Sequence, residues 1–256
     1  MNLPVSVRDN ILGSGLVSRI YNHDRLDSTM EEAKRLIREQ PIIAPGTLII
    51  AGMQESGHGR FKRAWFSPEG GIYFSLIIDE VMSPTFTLVA GLAVAESLDD
   101  FFGGETQLSW PNDILIKGRK IAGVICEVVD NYTLIGVGIN TFQPSQLDSE
   151  LRSRAISIYL LPQRKSRLLA AIIMRLTGHH LNFVKNGFLG FKHSYERKLN
   201  LIGEPIKLTS GKEHYEGVFS GIDNKGAIVL DTLGQRQTLS SAEITAHEFK
   251  IKEGSS

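Results

Sequence analysis

The sequence predicts an α+β fold, in which a mixed, largely antiparallel sheet with helices on one face is followed by a small β-barrel. Between residues 106 and 140, apolar runs are separated by two-residue turns, which favours antiparallel hairpins. Helical segments lie before and after these runs, as expected for helices layered on a sheet. After about residue 202, short runs bounded by Gly, Asn or Asp are typical of a small barrel.

The first predicted helix covers residues 26–39. Ser28 and Glu31 have the spacing of a capping box, and an apolar stripe follows at helical spacing. The other predicted helices lie at 85–102, 164–184 and 187–199. Predicted strands of the first domain lie at 46–54, 71–79, 106–110, 113–116, 119–129 and 132–140. Those of the barrel lie at 204–210, 214–222, 226–232, 236–240 and 243–250.

Composition limits the class of protein. Of the 256 residues, 28 are Lys or Arg and 28 are Asp or Glu, so no global basic field favours nucleic acid. Cys126 is the only cysteine, which excludes an intramolecular disulfide and favours a cytoplasmic location. The N-terminus lacks a signal-peptide pattern, and no apolar run reaches transmembrane length, so no membrane partner is predicted.

A cationic, glycine-containing segment follows the strand at 46–54. It places His58, Arg60, Lys62 and Arg63 around Gly57 and Gly59, in the run QESGHGRFKR. Glycine lets backbone N–H groups approach an anion closely, and the cations neutralise that anion. The segment alone is equally compatible with a solvated, charged turn between two strands.

Three further motifs favour a ligand site. SWPND places a rigid turn before Lys120 and Gly123. IGVGIN places Gly136 and Gly138 inside a strand, where glycine often marks close approach of a ligand or another backbone. LDST places two hydroxyls at a helix N-terminus, where N–H donors converge.

With these motifs the chain resembles the biotin–protein ligases, also called biotin–[acetyl-CoA-carboxylase] ligases or holocarboxylase synthetases. The resemblance covers nearly the whole chain and is carried by LDST, QESGHGR, WPND with GRKIAGV, IGVGIN and GIDNKGAIVL. It implies a class II synthetase-like catalytic domain at 1–202 and an SH3-like barrel at 203–256. It also implies that ATP and biotin are substrates, with Mg²⁺ accompanying ATP. The implied reaction forms biotinyl-5′-AMP and then biotinylates a lysine of a carrier domain.

The resemblance implies partners as well. The expected protein partner is the biotin carboxyl carrier domain of a biotin-dependent carboxylase. Many bacterial members carry an N-terminal winged helix that binds DNA, but only about twenty residues precede HDRLDST here. A form without DNA binding is therefore expected, and a homodimer is possible because the family includes monomers and dimers.

The resemblance assigns site residues by matching motifs. Asn112 matches the asparagine of the nucleotide and metal side, but no metal-ligand cluster stands out in the sequence. Lys120 matches the essential lysine, although the residues alone favour a surface lysine beside Arg119. Lys120 and Arg60 are the expected catalytic residues. The expected biotin-binding residues are Ser28, Thr29, Met30, Gln54, Gly57, His58, Gly59, Arg60, Lys120, Gly123 and Gly136. The expected nucleotide-binding residues are Arg60, Arg63, Trp65, Asn112, Lys120 and Asn140, with core filling as the alternative for Trp65.

Five positions depart from the family pattern. His58 stands where the loop usually has its first arginine, and Phe61 and Lys62 replace a basic residue and a glycine. Met30 replaces an asparagine, and Ser109 replaces a lysine before WPND. These changes remove permanent positive charges from the site, so adenylate retention and substrate specificity are open.

Two alternative functions remain at this point. One is ligation of another small carboxylate, such as lipoate or octanoate, and the other is a non-catalytic biotin- or biotinyl-adenylate-binding protein. The related octanoyl transferases use a cysteine nucleophile, but Cys126 lies in an apolar run with no histidine nearby and is predicted to be a core residue. The pair His179 and His180 is predicted to lie on the surface or to cap a helix.

Overall fold

The computed structural model describes residues 3–40, 43–104, 106–210, 212–232, 234–240 and 243–246. The helices are α1 Val5–Leu12, α2 Thr29–Glu39, α3 Phe86–Phe102, α4 Ser149–Arg154, α5 Pro162–Asn186 and α6 Lys192–Leu199. The strands of the larger sheet are β1 Arg19–Leu26, β2 Thr47–Gln54, β3 Ile72–Ile78, β4 Thr106–Ser109, β5 Asp113–Ile116, β6 Arg119–Val129 and β7 Tyr132–Ile139. Those of the smaller sheet are β8 Pro205–Ser210, β9 Glu213–Ile222, β10 Ile228–Thr232, β11 Gln235–Leu239 and β12 Glu243–Ala246.

The larger sheet has seven strands in the order β1-β2-β3-β7-β6-β5-β4. Only β1 and β2 pair in parallel, and the other neighbours are antiparallel, which confirms the predicted mixed, largely antiparallel sheet. The hairpins predicted from β4 to β7 are present. Lys117 and Gly118 both have positive φ, as expected for a two-residue turn that matches the twist of its strands.

Three elements were not predicted, namely α1, β1 and α4. Strand β1 is polar along most of its length and lies at the edge of the sheet, so it lacks the apolar run that marks the central strands. By contrast, every residue of β3 is buried, and its apolar run was recognised from the sequence.

The sheet is covered on both faces, whereas the sequence predicted helices on one face. Helices α1, α3, α5 and α6 share one apolar core with the sheet. Helix α2 lies on the opposite face, where Met30, Ala33 and Leu36 pack with Ile49 and Leu134. Successive side chains of a strand point to opposite faces of the sheet, and in the central strands the side chains on both faces are apolar. Each face therefore needs a covering layer that excludes water.

The predicted capping box at the start of α2 is wrong. Ser28 occupies the N-cap position, but its side chain makes no capping hydrogen bond. The oxygen Oε1 of Gln54 instead accepts from the backbone N–H of Thr29 at 2.8 Å. Glu31 pairs with Lys34 at 3.0 Å. A side chain from β2 therefore stabilises the first turn of α2.

The smaller sheet has five strands in the order β11-β10-β9-β8-β12. Its inner residues, including Ile206, Phe219 and Ile228, join the core of the larger domain. The indole N–H of Trp110 donates to the carbonyl of Gly226 at 2.9 Å, which ties the barrel to the turn before β5. The predicted strand at 243–250 is present up to Ala246, and its remaining residues lie outside the described chain.

The described part of the chain has no helix that combines the length and the apolar character needed to cross a membrane.

The carboxyl group of Glu96 provides a pH test of the packing between α3 and α5. Burial would raise its pKa, but ion pairs with His179 and Arg175, at 3.1 and 3.0 Å, outweigh burial and lower it. A lowered pKa stabilises the fold above the unfolded-state pKa of about 4.3, and this contribution disappears as pH falls through the folded-state pKa. We expect the Tm advantage of the unmodified protein over Glu96→Gln to shrink from pH 6 to pH 3 in thermal denaturation. A pH-independent difference would contradict this.

Candidate active site

A cavity of about 220 Å³ lies between the N-terminus of α2, the cationic loop after β2, and strands β5 to β7. The predicted site residues that line it are Ser28, Thr29, Met30, Gln54, His58, Gly59, Arg60, Arg63, Trp65, Asn112, Lys120, Gly123 and Gly136. These residues come from six separate segments, so the fold brings together most of the predicted site. A wider groove of about 730 Å³ adjoins it and shares the lining residues His58, Gly59, Arg60, Trp110, Pro111 and Ile125.

One end of the cavity is polar and hydrogen-bonded. Gln54 Oε1 accepts from the N–H and the hydroxyl of Thr29, at 2.8 and 3.2 Å. Gln54 Nε2 donates to Ser67 Oγ at 2.9 Å, and Ser75 donates to Thr29 Oγ1 at 2.8 Å. Ser67 and Ser75 were not predicted as site residues. Their only sequence signal was their position inside the motif W.SP.GG.YFS.

Lys120 contributes a positive charge to the cavity wall. Its ammonium lies 2.7 Å from Asp113 Oδ1 and 4.8 Å from the centre of the Trp65 ring. Asp113 was quoted within WPND but was not predicted as a site residue. It is the one carboxylate that the described residues contribute to the cavity wall. A cation held between a carboxylate and an aromatic face is oriented toward the cavity.

The glycines inside β6 and β7 allow two side chains to approach the sheet. A Cβ atom on Gly138 would lie 2.5 Å from Trp65 Nε1, and one on Gly123 would lie 3.3 Å from Trp65 Cζ3. A Cβ atom on Gly136 would lie 2.8 Å from Met30 Sδ. The sequence predicted close approach by a ligand or backbone, and the structure shows side chains of this chain against these glycines.

The cationic loop folds back on itself as a short ribbon. The N–H of Trp65 donates to the Gly57 carbonyl and the N–H of Gly59 donates to the Arg63 carbonyl, both at 2.8 Å. Phe61 and Lys62 at its tip have φ of 55°. Positive φ is uncommon for residues with a side chain, so the tip is the strained part of the loop.

Two predicted site residues do not line the cavity. Gly57 is a buried residue of the loop, where a Cβ atom would be 2.5 Å from Ser67 Oγ. Asn140 is buried, and its amide donates to the carbonyls of Lys120 and Ile156, at 3.2 and 3.1 Å. Ile244 of β12 also reaches the cavity wall. No local signal marks it, because only the folding of the barrel brings it there.

Comparison with known proteins identifies the family. Residues 23–140 match the model described as the biotin/lipoate A/B protein ligase family, and residues 201–245 match the biotin protein ligase C-terminal domain. The bifunctional ligase/repressor BirA of Bacillus subtilis is 31% identical over 253 residues, which cover 93% of this chain and 76% of BirA. This chain belongs to the biotin protein ligase family. The predicted enzyme class, a biotin protein ligase, is confirmed.

Other members of the biotin protein ligase family agree with this assignment. The biotin–[acetyl-CoA-carboxylase] ligase of Mycobacterium tuberculosis is 27% identical over 78% of each chain. The biotin protein ligase of Aquifex aeolicus, solved in complex with biotin and ATP, is 29% identical with a TM-score of 0.78. The alignment covers 89% of this chain and 98% of the Aquifex chain. The predicted α+β domain with a C-terminal barrel is therefore the fold of this family.

The departures from the biotin protein ligase pattern have defined positions. His58 faces Glu31, with 3.7 Å between Nε2 and Oε1. Lys62 has positive φ where the family usually has glycine, a residue that adopts this conformation freely. Met30 packs against Gly136, and Ser109 lines the cavity. The departures therefore lie on the loop and the cavity wall, and one of them, Met30, is also part of the apolar core beneath α2.

The pKa of Cys126 bears on the octanoyl transferase alternative. Burial raises the pKa of its thiol to about 12, so the thiolate is scarce at neutral pH. Cys126 is half-buried: it packs against the apolar core and lines the wider groove, but it does not line the smaller cavity. The raised pKa and the position outside the smaller cavity disfavour a nucleophilic cysteine.

Proposed function

We propose that this chain activates biotin with ATP and transfers the biotinyl group to a lysine of a biotin carboxyl carrier domain. The observation that carries the proposal is a cavity that joins a hydrogen-bonding end at Thr29 and Gln54 to the cations Lys120, Arg60 and Arg63. A solved relative from Aquifex aeolicus binds biotin and ATP, and both are the proposed substrates. Mg²⁺ would enter with ATP as part of that substrate.

The proposed chemistry has two steps. A carboxylate oxygen of biotin attacks the α-phosphorus of ATP. The bond between the α-phosphorus and the oxygen that bridges it to the β-phosphorus breaks, and pyrophosphate leaves with the electron pair. The carrier amine then attacks the acyl carbon of biotinyl-5′-AMP and loses a proton, and AMP leaves. Both steps concentrate negative charge between the acyl and phosphoryl oxygens, where fixed cations stabilise the transition state most.

The proposed residue roles come from the family resemblance, and their positions in the cavity support them. Lys120 would contact the carboxylate and then the α-phosphate, and Arg60 and Arg63 would hold phosphate oxygens. Trp65 and Asn112 would face the nucleotide, while Ser28, Thr29 and Gln54 would hold the ring of biotin. We give Asn140 a different role from the predicted nucleotide contact, because its amide already binds the backbone carbonyl of Lys120. It would position the start of β6.

We further propose a domain boundary near residue 202, with the catalytic domain at 1–202 and the barrel at 203–256. The match of a separate C-terminal model to residues 201–245 and the start of β8 at Pro205 support this boundary. The lack of DNA or membrane partners, the possible homodimer and the cytoplasmic location stay predictions.

A mass-shift assay tests the proposed function. The full chain would be incubated with ATP, Mg²⁺, a biotin carboxyl carrier domain and biotin, lipoate or octanoate in parallel. We expect a shift of one biotinyl group with biotin and release of pyrophosphate. Modification with lipoate or octanoate alone would support the alternative ligase. Tight biotin binding without carrier modification or adenylate formation would support the binding-protein alternative.

Cys126→Ser gives a direct prediction about mechanism. Because the pKa of the half-buried thiol is raised to about 12, we expect carrier biotinylation within about 3-fold of the unmodified rate. The measurement is the initial rate of the mass-shift assay, with Tm recorded to detect loss of folding. A folded Cys126→Ser protein that no longer modifies the carrier would point to a covalent thioester route.

A further inference from the structure

The carboxamide of Gln54 is held in one orientation by partners at both ends. At one end, Oε1 accepts from the backbone N–H of Thr29 at 2.8 Å. At the other end, Nε2 donates to Ser67 Oγ at 2.9 Å, while the Ser67 hydroxyl donates to the Trp65 carbonyl at 3.0 Å. Thr29 and Ser67 are almost fully buried, with exposures of 3% and 4%. Water therefore cannot readily replace either partner.

These partners exclude the flipped orientation of Gln54. The N–H of Thr29 lies in the first turn of α2, has no partner within the helix and can only donate. The single proton of Ser67 is committed to the Trp65 carbonyl, so its oxygen must accept from Gln54. A flipped carboxamide would set donor against donor at one end and acceptor against acceptor at the other, at a buried site.

Ser75 fixes the neighbouring hydroxyl in the same way. It is fully buried on β3 and donates to Thr29 Oγ1 at 2.8 Å. The proton of Thr29 is directed to Gln54 Oε1 at 3.2 Å. Thr29 therefore offers the cavity a lone pair and no proton. Gln54 also lines the cavity and retains a second Nε2 hydrogen, for which the described residues supply no acceptor.

We infer that Ser67 and Ser75 are positioning residues that fix the hydrogen-bond pattern of the cavity, with a donor on Gln54 and an acceptor on Thr29. The inference rests on the proposed function, in which this end of the cavity receives the ring of biotin. A cyclic urea is complementary to that pattern, because its carbonyl accepts and its ring N–H groups donate. A cyclic guanidine is protonated near neutral pH and is then not complementary, because the NH2 group that replaces the carbonyl oxygen can only donate.

The test compares biotin with 2-iminobiotin, its guanidine analogue, by calorimetry on the full chain. We expect the unmodified protein to prefer biotin strongly. In Ser67→Ala one of the two partners that hold the Gln54 carboxamide is lost, so we expect biotin affinity to fall about 3- to 10-fold while iminobiotin affinity is retained or rises. The preference ratio, which is the affinity for biotin divided by the affinity for 2-iminobiotin, should therefore fall by about 3- to 10-fold or more. Ser67→Thr keeps the hydroxyl and should restore most of the preference.

Ser75→Ala is the second variant, and it keeps the test decisive if Ser67→Ala does not fold. Without Ser75, the Thr29 hydroxyl can turn toward the cavity as a donor, so the preference for biotin should shrink again.

Ser157→Ala is the matched control. Ser157 is a buried hydroxyl, 6% exposed, that donates to the Phe142 carbonyl at 2.6 Å and does not line the cavity. It should lower Tm with the preference unchanged.

The outcomes separate this inference from the proposed function. An unchanged preference ratio in a folded Ser67→Ala or Ser75→Ala protein would overturn the inference, whether both affinities fall equally or neither changes. That result would assign these hydroxyls to loop stability alone. Failure of the unmodified protein to bind either ligand would instead overturn the proposed function. A reduced ratio in both variants, with the ratio retained in Ser157→Ala, is the supporting result.

Discussion

Replacing Lys120 with alanine is expected to slow the formation of biotinyl-5′-AMP by at least about 100-fold, while biotin binding remains measurable. The ammonium of Lys120 lies in the cavity, 2.7 Å from Asp113 Oδ1 and above the ring of Trp65. In the proposed reaction it stabilises charge that moves from the carboxylate to the α-phosphate. Removal of one such electrostatic group typically slows a reaction by about 100- to 1,000-fold.

The measurement is pyrophosphate release in a single turnover, alongside biotin affinity by calorimetry. Lys120→Arg should recover little activity, because a planar guanidinium does not replace a compact charge on a flexible stem. Lys117→Asn is a matched control in the same hairpin. It removes an exposed lysine at a position with φ of 50°, a conformation that asparagine tolerates. Rates for Lys120→Ala within a few-fold of the unmodified protein would contradict the proposed active site.

Replacing Gly57 with alanine is expected to weaken biotin binding by about 10- to 100-fold. A Cβ atom there would lie 2.5 Å from Ser67 Oγ and 2.9 Å from both Gln54 Nε2 and the Trp65 carbonyl oxygen. The methyl group would therefore separate Gln54 from Ser67 and push the loop away from β2. Overpacking of this kind typically destabilises by about 1–3 kcal/mol.

Gly59→Ala is the comparison within the same loop. A Cβ atom on Gly59 has Arg63 O as its nearest neighbour, at 3.9 Å, so we expect a clearly smaller loss of affinity. Calorimetry with biotin gives the affinities, and thermal denaturation shows whether either variant loses global stability. Equal effects at the two glycines would indicate that backbone flexibility, and not packing of Gln54 against Ser67, governs binding.

Elements with local signals could be recognised from the amino-acid sequence. The hairpins from β4 to β7 were predicted because turn residues such as Lys117 and Gly118 set their own backbone dihedrals. Most of the cavity wall was also predicted, because its residues lie in short motifs that the family shares. These signals depend only on neighbouring residues, so they can be recognised before the fold is known.

Contacts between groups that are distant in sequence could not be predicted in this way, because they depend on the complete fold. The capping box of Ser28 and Glu31 gave way to Gln54, because strand β2 brings a better-placed acceptor to the N-terminus of α2. Asn140 was predicted to face the nucleotide, yet its buried amide binds two backbone carbonyls. A polar side chain that folding removes from water must find its partner in the surrounding structure, and that partner depends on the register of strands far apart in sequence.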